Sequence, residues 1–374
     1  MHITYHKTTL SIVDWRNGQH RNLTECEEEA AKLSMGFKPK IQEYDEDDWA
    51  EKTLGVGWAG KDAFLDNLRC LLKELINDPA SGFAITNVRG QFELNVTAMA
   101  ETLEKCNKLC HKIAFSCICT PGQLPRISEF VDYRLINGLI RGRNLFRDGE
   151  DVWLVNRRTK TETQVGRETF IPTKCYPRLS RLLEQYFLVI RPLEKELAYH
   201  VYGKESSQLY SDYMWVQEGK KMTARSMYKE FRKFLAKYCK VDAGIKVYRQ
   251  LCVEIGRTFL GSEYEIVEGG LELLSAQRGH SLRVEQVQYA PEVNHLPAMS
   301  SDRLLGYGRV SEAWWGVGGF ADTPPLLPLR QRVKTIGKVQ DELLGTINAF
   351  RTEIQELRDE LARIEEQRYL GRQR

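Results

Sequence analysis

The sequence predicts an α+β fold that is mainly helical, and three observations carry that expectation. Long stretches place apolar residues every three or four positions, the period of a helix buried along one side. Near residue 150 this gives way to β-rich runs separated by a polar stretch. A narrow apolar seam follows three closely spaced prolines toward the C-terminus. The expected organisation is a helical domain over 1–105, a mixed domain with a small β-hairpin or sheet over 106–322, a proline-rich linker over 323–332 and a coiled-coil helix over 333–374.

In the first segment, Asp62 to Ile76 carries a stripe of Phe64, Leu65, Leu68, Leu71, Leu72, Leu75 and Ile76. A second stripe runs from Val96 through Met99, Leu103 and Cys106 to Leu109 and Ile113. Between them Asp78-Pro79-Ala80-Ser81-Gly82 is a loop by its breakers. The acidic run Glu43 to Asp48 is read as a solvated linker, because like charges repel and resist packing.

Asp151-Val152-Trp153-Leu154-Val155 and Glu168-Thr169-Phe170-Ile171 are expected to be strands of a hairpin whose long, basic tip spans Asn156 to Arg167. Pro177 opens a helix with Leu179, Leu182, Leu183, Tyr186, Phe187 and Ile190 on one face, as suits proline in a first turn. Tyr213 to Val216 reads as a short strand. Thr223 to Tyr238 reads as a helix, apolar at Met227, Phe231, Phe234, Leu235 and Tyr238. Its other face carries Arg225, Lys229, Arg232, Lys233 and Lys237, with only Glu230 opposing. With Lys220, Lys221 and Lys240 at its ends, this is a candidate phosphate-facing helix.

Pro324-Pro325-Leu326-Leu327-Pro328 reads as an extended linker. Beyond it Ile336, Val339, Leu343, Ile347, Phe350, Ile354, Leu357, Leu361 and Ile364 alternate at three and four residues with one stutter. Charges such as Glu353, Glu356, Arg358 and Glu360 fill the intervening positions, as in a self-associating coiled coil.

Composition sets the outer bounds. The 374 residues hold 54 Lys+Arg against 51 Asp+Glu, a formal net charge of +3. That excludes a uniformly basic polymer binder but not an enzyme with segregated patches. No apolar run approaches the roughly 18–20 residues that cross a bilayer, and no secretory signal opens the chain. Nine cysteines at irregular spacing, with no CxxC, fit a reducing intracellular setting. Cys106-x3-Cys110-His111 lies in a helical pattern without a second ligand pair and is read as ordinary buried thiols.

The sharpest local signals are Arg126-Ile127-Ser128-Glu129, Lys160 at the expected hairpin tip, Lys246-Val247-Tyr248-Arg249, Gly279-His280-Ser281, and Tyr289 eight intervening residues after His280. Each is weak alone; their order and spacing are not. Over roughly residues 60–315 the chain resembles the tyrosine recombinase family, in the DNA breaking-rejoining superfamily. Arg126-Ile127-Ser128-Glu129 is similar to the first box, Lys160 falls at the catalytic lysine on the hairpin between second and third strands, and Lys246-x-x-Arg249 resembles the second box. Gly279-His280 and Tyr289 resemble the Gly-His element and the nucleophile. Gly142-Arg143-Asn144-Leu145-Phe146 and Ser311-Glu312-Ala313-Trp314-Trp315 bring it nearest to fungal Crypton-type recombinases.

The resemblance implies a helical core-binding domain and a mixed catalytic domain closing as a clamp on duplex DNA. It also implies a nuclear, transposon-type enzyme that joins strands through a covalent 3′-phosphotyrosine, without cofactor or metal. Two guanidiniums, Arg126 and Arg249, suit the non-bridging phosphate oxygens because they are forked and always charged. Tyr289 would be the nucleophile, Lys160 the general acid for the leaving 5′-oxygen, and His280 a hydrogen-bond donor to phosphate. Glu129 is expected to hold a box arginine in place. Arg141, Arg143, Arg157 and Arg158, with the basic 219–240 segment, would contact phosphates.

The second-box histidine is replaced by Lys246, and Gln250 follows Arg249 where many relatives have His. Type IB topoisomerases also carry Lys-x-x-Arg, so a cationic donor is retained. The expected partners are double-stranded DNA and further copies of the chain, a dimer through the coiled coil and a tetramer in synapsis, with no membrane. A topoisomerase of type IB, a silent domesticated DNA-binding protein and a coiled-coil scaffold remain as competing readings.

Overall fold

The N-terminus folds into a hairpin that helical periodicity does not announce. Strands β1 (His2–Tyr5) and β2 (Thr8–Ser11) pair antiparallel, with buried Ile3 opposite buried Leu10. Ser11 then caps helix α1 (Ile12–Leu33), its hydroxyl accepting from the Asp14 amide at 3.2 Å. The computed structural model describes residues 1–39, 41, 47–60, 65–86, 89–121, 125–157, 171–261, 301–320 and 324–333, with single positions between 336 and 350.

The further helices are α2 (Leu65–Asn77), α3 (Val96–Cys119), the short α4 (Ile127–Phe130), α5 (Pro177–Gln185), α6 (Arg191–Tyr202), α7 (Lys204–Asp212), α8 (Ala224–Cys239), α9 (Ile245–Phe259) and α10 (Ser301–Gly318). The sheets are small and antiparallel. Strands β3 (Ala84–Thr86) and β4 (Phe92–Leu94) make one, β5 (Leu145–Asp148), β6 (Asp151–Asn156) and β7 (Ile171–Lys174) make a three-stranded sheet in that order, and β8 (Val216–Gln217) pairs with β9 (Lys220–Lys221). The described residues thus form an α+β fold, mainly helical. Among them no helix is long and apolar enough to cross a membrane.

Helix α3 is the central member. Asn95 caps it, and beyond Cys106 its side chains are buried on almost every side. Helices α1, α6 and α8 pack around it. The expected domain boundary near residue 105 falls inside this continuous helix, and Met1–Leu326 forms one compact unit. Leu103 and Met99 pack with Leu193 and Leu197, while Cys106 and Leu109 share the main core with residues from Ile3 to Val317. Residues before and after 105 therefore share their apolar interior.

Helices α5 and α6 run on through a wide turn at Tyr186–Ile190. Pro192 lacks an amide hydrogen and crowds the preceding turn, which accounts for the local widening. Just beyond, buried Arg191 pairs with buried Glu194 at 3.0 Å and donates to the Met214 carbonyl at 2.7 Å.

Helix α1 meets α8 at Gly18, where a Cβ would overlap the Tyr238 carbonyl oxygen. Around this contact the Tyr238 hydroxyl, Lys112 and Lys237 all donate to Glu25. Desolvation raises the Glu25 pKa, but these three donors outweigh it and bring it down to about 2.

The acidic run ends differently from expectation. Asp47 is buried against Arg143, and Trp49 lies on Phe146 and edge-on to Trp153. Its last residues strap the sheet instead of floating in solvent. In the second unit, Leu327–Arg374, residues 329–333 are helical, as are Ile336, Leu343 and Phe350, whose side chains are exposed. Val339, Ile347, Ile354, Leu357, Leu361 and Ile364 lie outside the described residues.

Two outcomes follow for stability. Gly18→Ala forces α1 from α8 and lowers the unfolding free energy by about 1–3 kcal/mol, the usual range for overpacking, measured by urea denaturation. Because the folded-state Glu25 pKa lies below its ordinary 4.5, its contribution is full above that value and fades as pH falls toward 2. Urea midpoints between pH 5 and pH 2 fall less steeply in Glu25→Gln than in the parent.

Candidate nucleic-acid interface

Arg126 stands at the N-cap of α4 in an extended conformation, with φ −66° and ψ 135°. Ile127 and Phe130 anchor the short helix in the core, which leaves the Arg126 side chain partly exposed at a fixed point of the surface. One turn on, Glu129 is only 8% exposed. Its Oε1 lies 3.4 Å from Arg126 Nη1, and its Oε2 accepts from Asn156 Nδ2 at 3.0 Å. Glu129 thus pairs with Arg126.

Asn156 ends β6 and pairs in register with Ile171 at the start of β7. The hairpin is as expected in topology; β6 falls where expected, while β7 begins at Ile171, where the expected second strand ends. The intervening segment follows Asn156, which lies beside Glu129. Lys160 and Arg158 lie on that segment, outside the described residues. Gly279, His280 and Tyr289 also lie outside them.

Helix α9 brings in the second box. Its buried residues Ile245, Tyr248, Leu251, Cys252, Ile255 and Phe259 follow helical spacing, and the Tyr248 hydroxyl accepts from Trp15 Nε1 at 2.9 Å. That anchoring fixes the rotation of the helix. Arg249 is consequently half-buried, while Lys246, one turn earlier on the same face, is exposed near the helix start. Desolvation is the main force lowering the Arg249 pKa; the Arg126 charge adds to it and Glu129 opposes it. Arg249 thus lies within electrostatic reach of Arg126 and Glu129, although remote from them in sequence. Two cations that disfavour each other gain from an anion placed between them.

The basic residues divide sharply. Arg143 is 1% exposed, pairs with Asp47, donates to the Asp48 carbonyl at 2.6 Å and stacks over Phe146 at 4.3 Å. Arg157 is buried too, its guanidinium packed where a Cβ on Gly142 would sit. Both therefore face the protein interior, contrary to the expectation that they present themselves to phosphate. The reason is the sheet edge, whose aromatic ring at Phe146 takes up both guanidiniums. Arg141 stays at the surface, 3.6 Å from Asp132.

On α8 the Thr223 and Ser226 side chains form a reciprocal cap. The basic face is less naked than Glu230 alone suggested. Lys221 pairs with Asp132 at 2.6 Å, Arg232 with Asp242, Lys233 with Glu230 at 2.6 Å and Lys237 with Glu25 at 3.2 Å. Lys220, Arg225 and Lys229 are exposed and have no acidic partner among the described residues. Tyr228, between them, is also exposed and lies in electrostatic reach of Arg249. Positive charge is thus concentrated at the start of α8, beside the arginine pair.

Sequence reasoning missed Asn156, Asp132 and Tyr228. Asn156 carried a faint signal, a polar residue closing a run of buried β positions. Asp132 and Tyr228 gave none, since their importance lies in what the fold sets beside them. In the Cys106–Cys110–His111 segment, Cys110 approaches Arg191 and His111 Nε2 lies 3.1 Å from Gln217 Oε1. No protein-family model matches the chain, and no solved structure matches it.

Glu129→Gln weakens the tie to Arg126 and lowers stability by about 1–3 kcal/mol, as for a buried charged hydrogen bond. Because both act through one carboxylate, the Asn156→Ala loss is not additive with it in a double-mutant cycle read by urea unfolding.

Proposed function

We propose that this chain cleaves and rejoins DNA as a tyrosine-recombinase-type enzyme, with Tyr289 as nucleophile. The observation that carries the reading is the Glu129 carboxylate bonded to both Arg126 and Asn156, the last residue of β6, with Arg249 in electrostatic reach of Arg126 and Glu129. In this reading the Arg126 and Arg249 guanidiniums serve one phosphate.

In the proposed reaction Arg126 and Arg249 hold the non-bridging oxygens and stabilise the charge that gathers there in the pentavalent transition state. The Tyr289 hydroxyl gives its proton to water and its oxygen bonds to phosphorus as the bond to the 5′-oxygen breaks. Lys160 delivers a proton to that leaving oxygen. His280 donates to a phosphate oxygen, and Lys246 adds positive charge at the rim. The reverse steps, with a different 5′-hydroxyl attacking, join new strands. Lys220, Arg225 and Lys229 supply sequence-independent phosphate contacts.

Recombination needs several protomers, and the C-terminal seam offers a way to pair them. Ile336, Leu343 and Phe350 are helical and exposed, positions an apolar coiled-coil partner would cover. Deleting residues after Pro328 reduces the solution mass to a monomer's if this pairing holds; an unchanged mass removes it.

Incubation with nicked suicide duplexes yields a covalent protein–DNA adduct that is absent in Tyr289→Phe. Arg126→Ala or Arg249→Ala lowers its rate of formation by about 10²–10³-fold, the range for removing one transition-state donor. Plasmid relaxation without strand joining would instead assign a type IB topoisomerase activity. DNA binding with no adduct on any substrate would assign a silent binder.

A further inference from the structure

The loop between α4 and β5 carries an exposed apolar tip that the reaction above does not use. Leu139 and Ile140 are 88% and 94% exposed, whereas the next large apolar side chain among the described residues, Ile336, is 64% exposed. Scattered exposed aliphatics are ordinary, but two adjacent ones at the end of a stiff loop are not.

The stiffness is built from below. Asn137, 2% exposed, donates through Nδ2 to the carbonyls of Glu51 (2.9 Å) and Thr53, and its Oδ1 accepts from the Arg143 amide at 3.0 Å. Its own amide and carbonyl bond to Val56 and Gly55 at 2.8 Å each. Above it the Gly138 amide donates to the Arg141 carbonyl at 2.8 Å and closes the tip. Guanidiniums pack against both shoulders, Arg134 on Gly138 and Arg157 on Gly142, where any side chain would collide. Held this way, Leu139 and Ile140 cannot fold back onto the protein.

The surroundings of the tip are basic. Arg141 follows it directly, and Asp132 holds both Arg141 and Lys221, so the tip and the Lys220-Lys221 turn share one side. Asp132 lies just past α4, its amide bonded to the Glu129 carbonyl at 3.1 Å, which links the tip to the arginine pair.

We propose that Leu139 and Ile140 form a wedge that enters the base stack of duplex DNA while the neighbouring cations hold its phosphates. Apolar side chains inserted at a base step part it and kink the duplex, at a cost repaid by the added contact. This inference rests on the DNA reading of the site, and charge complementarity favours DNA over a protein partner.

The test uses the full chain and Leu139→Ser/Ile140→Ser, whose side chains make no part of the core, with equal thermal midpoints as the folding control. Ligase-catalysed cyclisation of duplexes shorter than about 150 bp, the persistence length, reads bending. The parent protein promotes circle formation at low salt; the variant keeps the salt dependence of DNA binding but loses the circles. Equal circle formation by both, or binding without circles by the parent, overturns the wedge and leaves the DNA reading intact. Absence of duplex binding by either protein overturns both. A fall in solution mass in the variant also overturns the wedge, assigning the tip to contact between copies.

Discussion

A single buried carboxylate joins the helical and β portions of the site. Glu129 must be satisfied where it is, because an unpaired ionised carboxyl out of water is costly. Its two oxygens accept from Arg126 and Asn156, and that demand sets the end of β6 against the start of α4. The short helix then has no freedom to slide, since Ile127 and Phe130 fill the core beneath it. One turn on, Asp132 brings Arg141 and Lys221 together. A chain of local constraints thus arranges Arg126, Arg141 and Lys221, cations from three separate segments.

The charge distribution gains meaning from this geometry. A net charge of +3 conceals a surface on which many cations are already paired. Exposed ion pairs contribute little, about 0–1 kcal/mol, so that of Arg232 with Asp242 adds little to stability. Arg143 is different, because its pair with Asp47 is buried and breaking it would strand a charge. Residues of one type in one short stretch therefore serve opposite ends, Arg141 at the surface and Arg143 in the interior.

Helices α2, α3, α5 and α8 were legible because burial on one side imposes a period that they follow. The β6–β7 hairpin was legible from its β-rich composition around a polar stretch, since β6 is buried along nearly its whole length. The β1–β2 hairpin was not, since four-residue strands with two buried side chains leave too little pattern. The α3 stripe was legible across residue 105 as far as Ile113, while its last turns are buried all round and carry no one-sided stripe. The Gly142-to-Phe146 motif was visible as a string, yet its physical content was not. Gly142 admits the Arg157 guanidinium, Arg143 meets Asp47, and Asn144 bonds both Arg134 and Val155.

By itself the sequence determined the mainly helical α+β class, the helix faces and the residue types that could handle a phosphodiester. Those follow from periodicity and side-chain chemistry, which are properties of short segments. Only the tertiary structure decided that Arg249 comes within electrostatic reach of Arg126 and Glu129, that Asn156 bonds Glu129, and that Arg143 turns inward. Such choices depend on packing between segments far apart in the chain. Whether a cation faces a phosphate or a buried carboxylate is set by its neighbours in space, which no local pattern encodes.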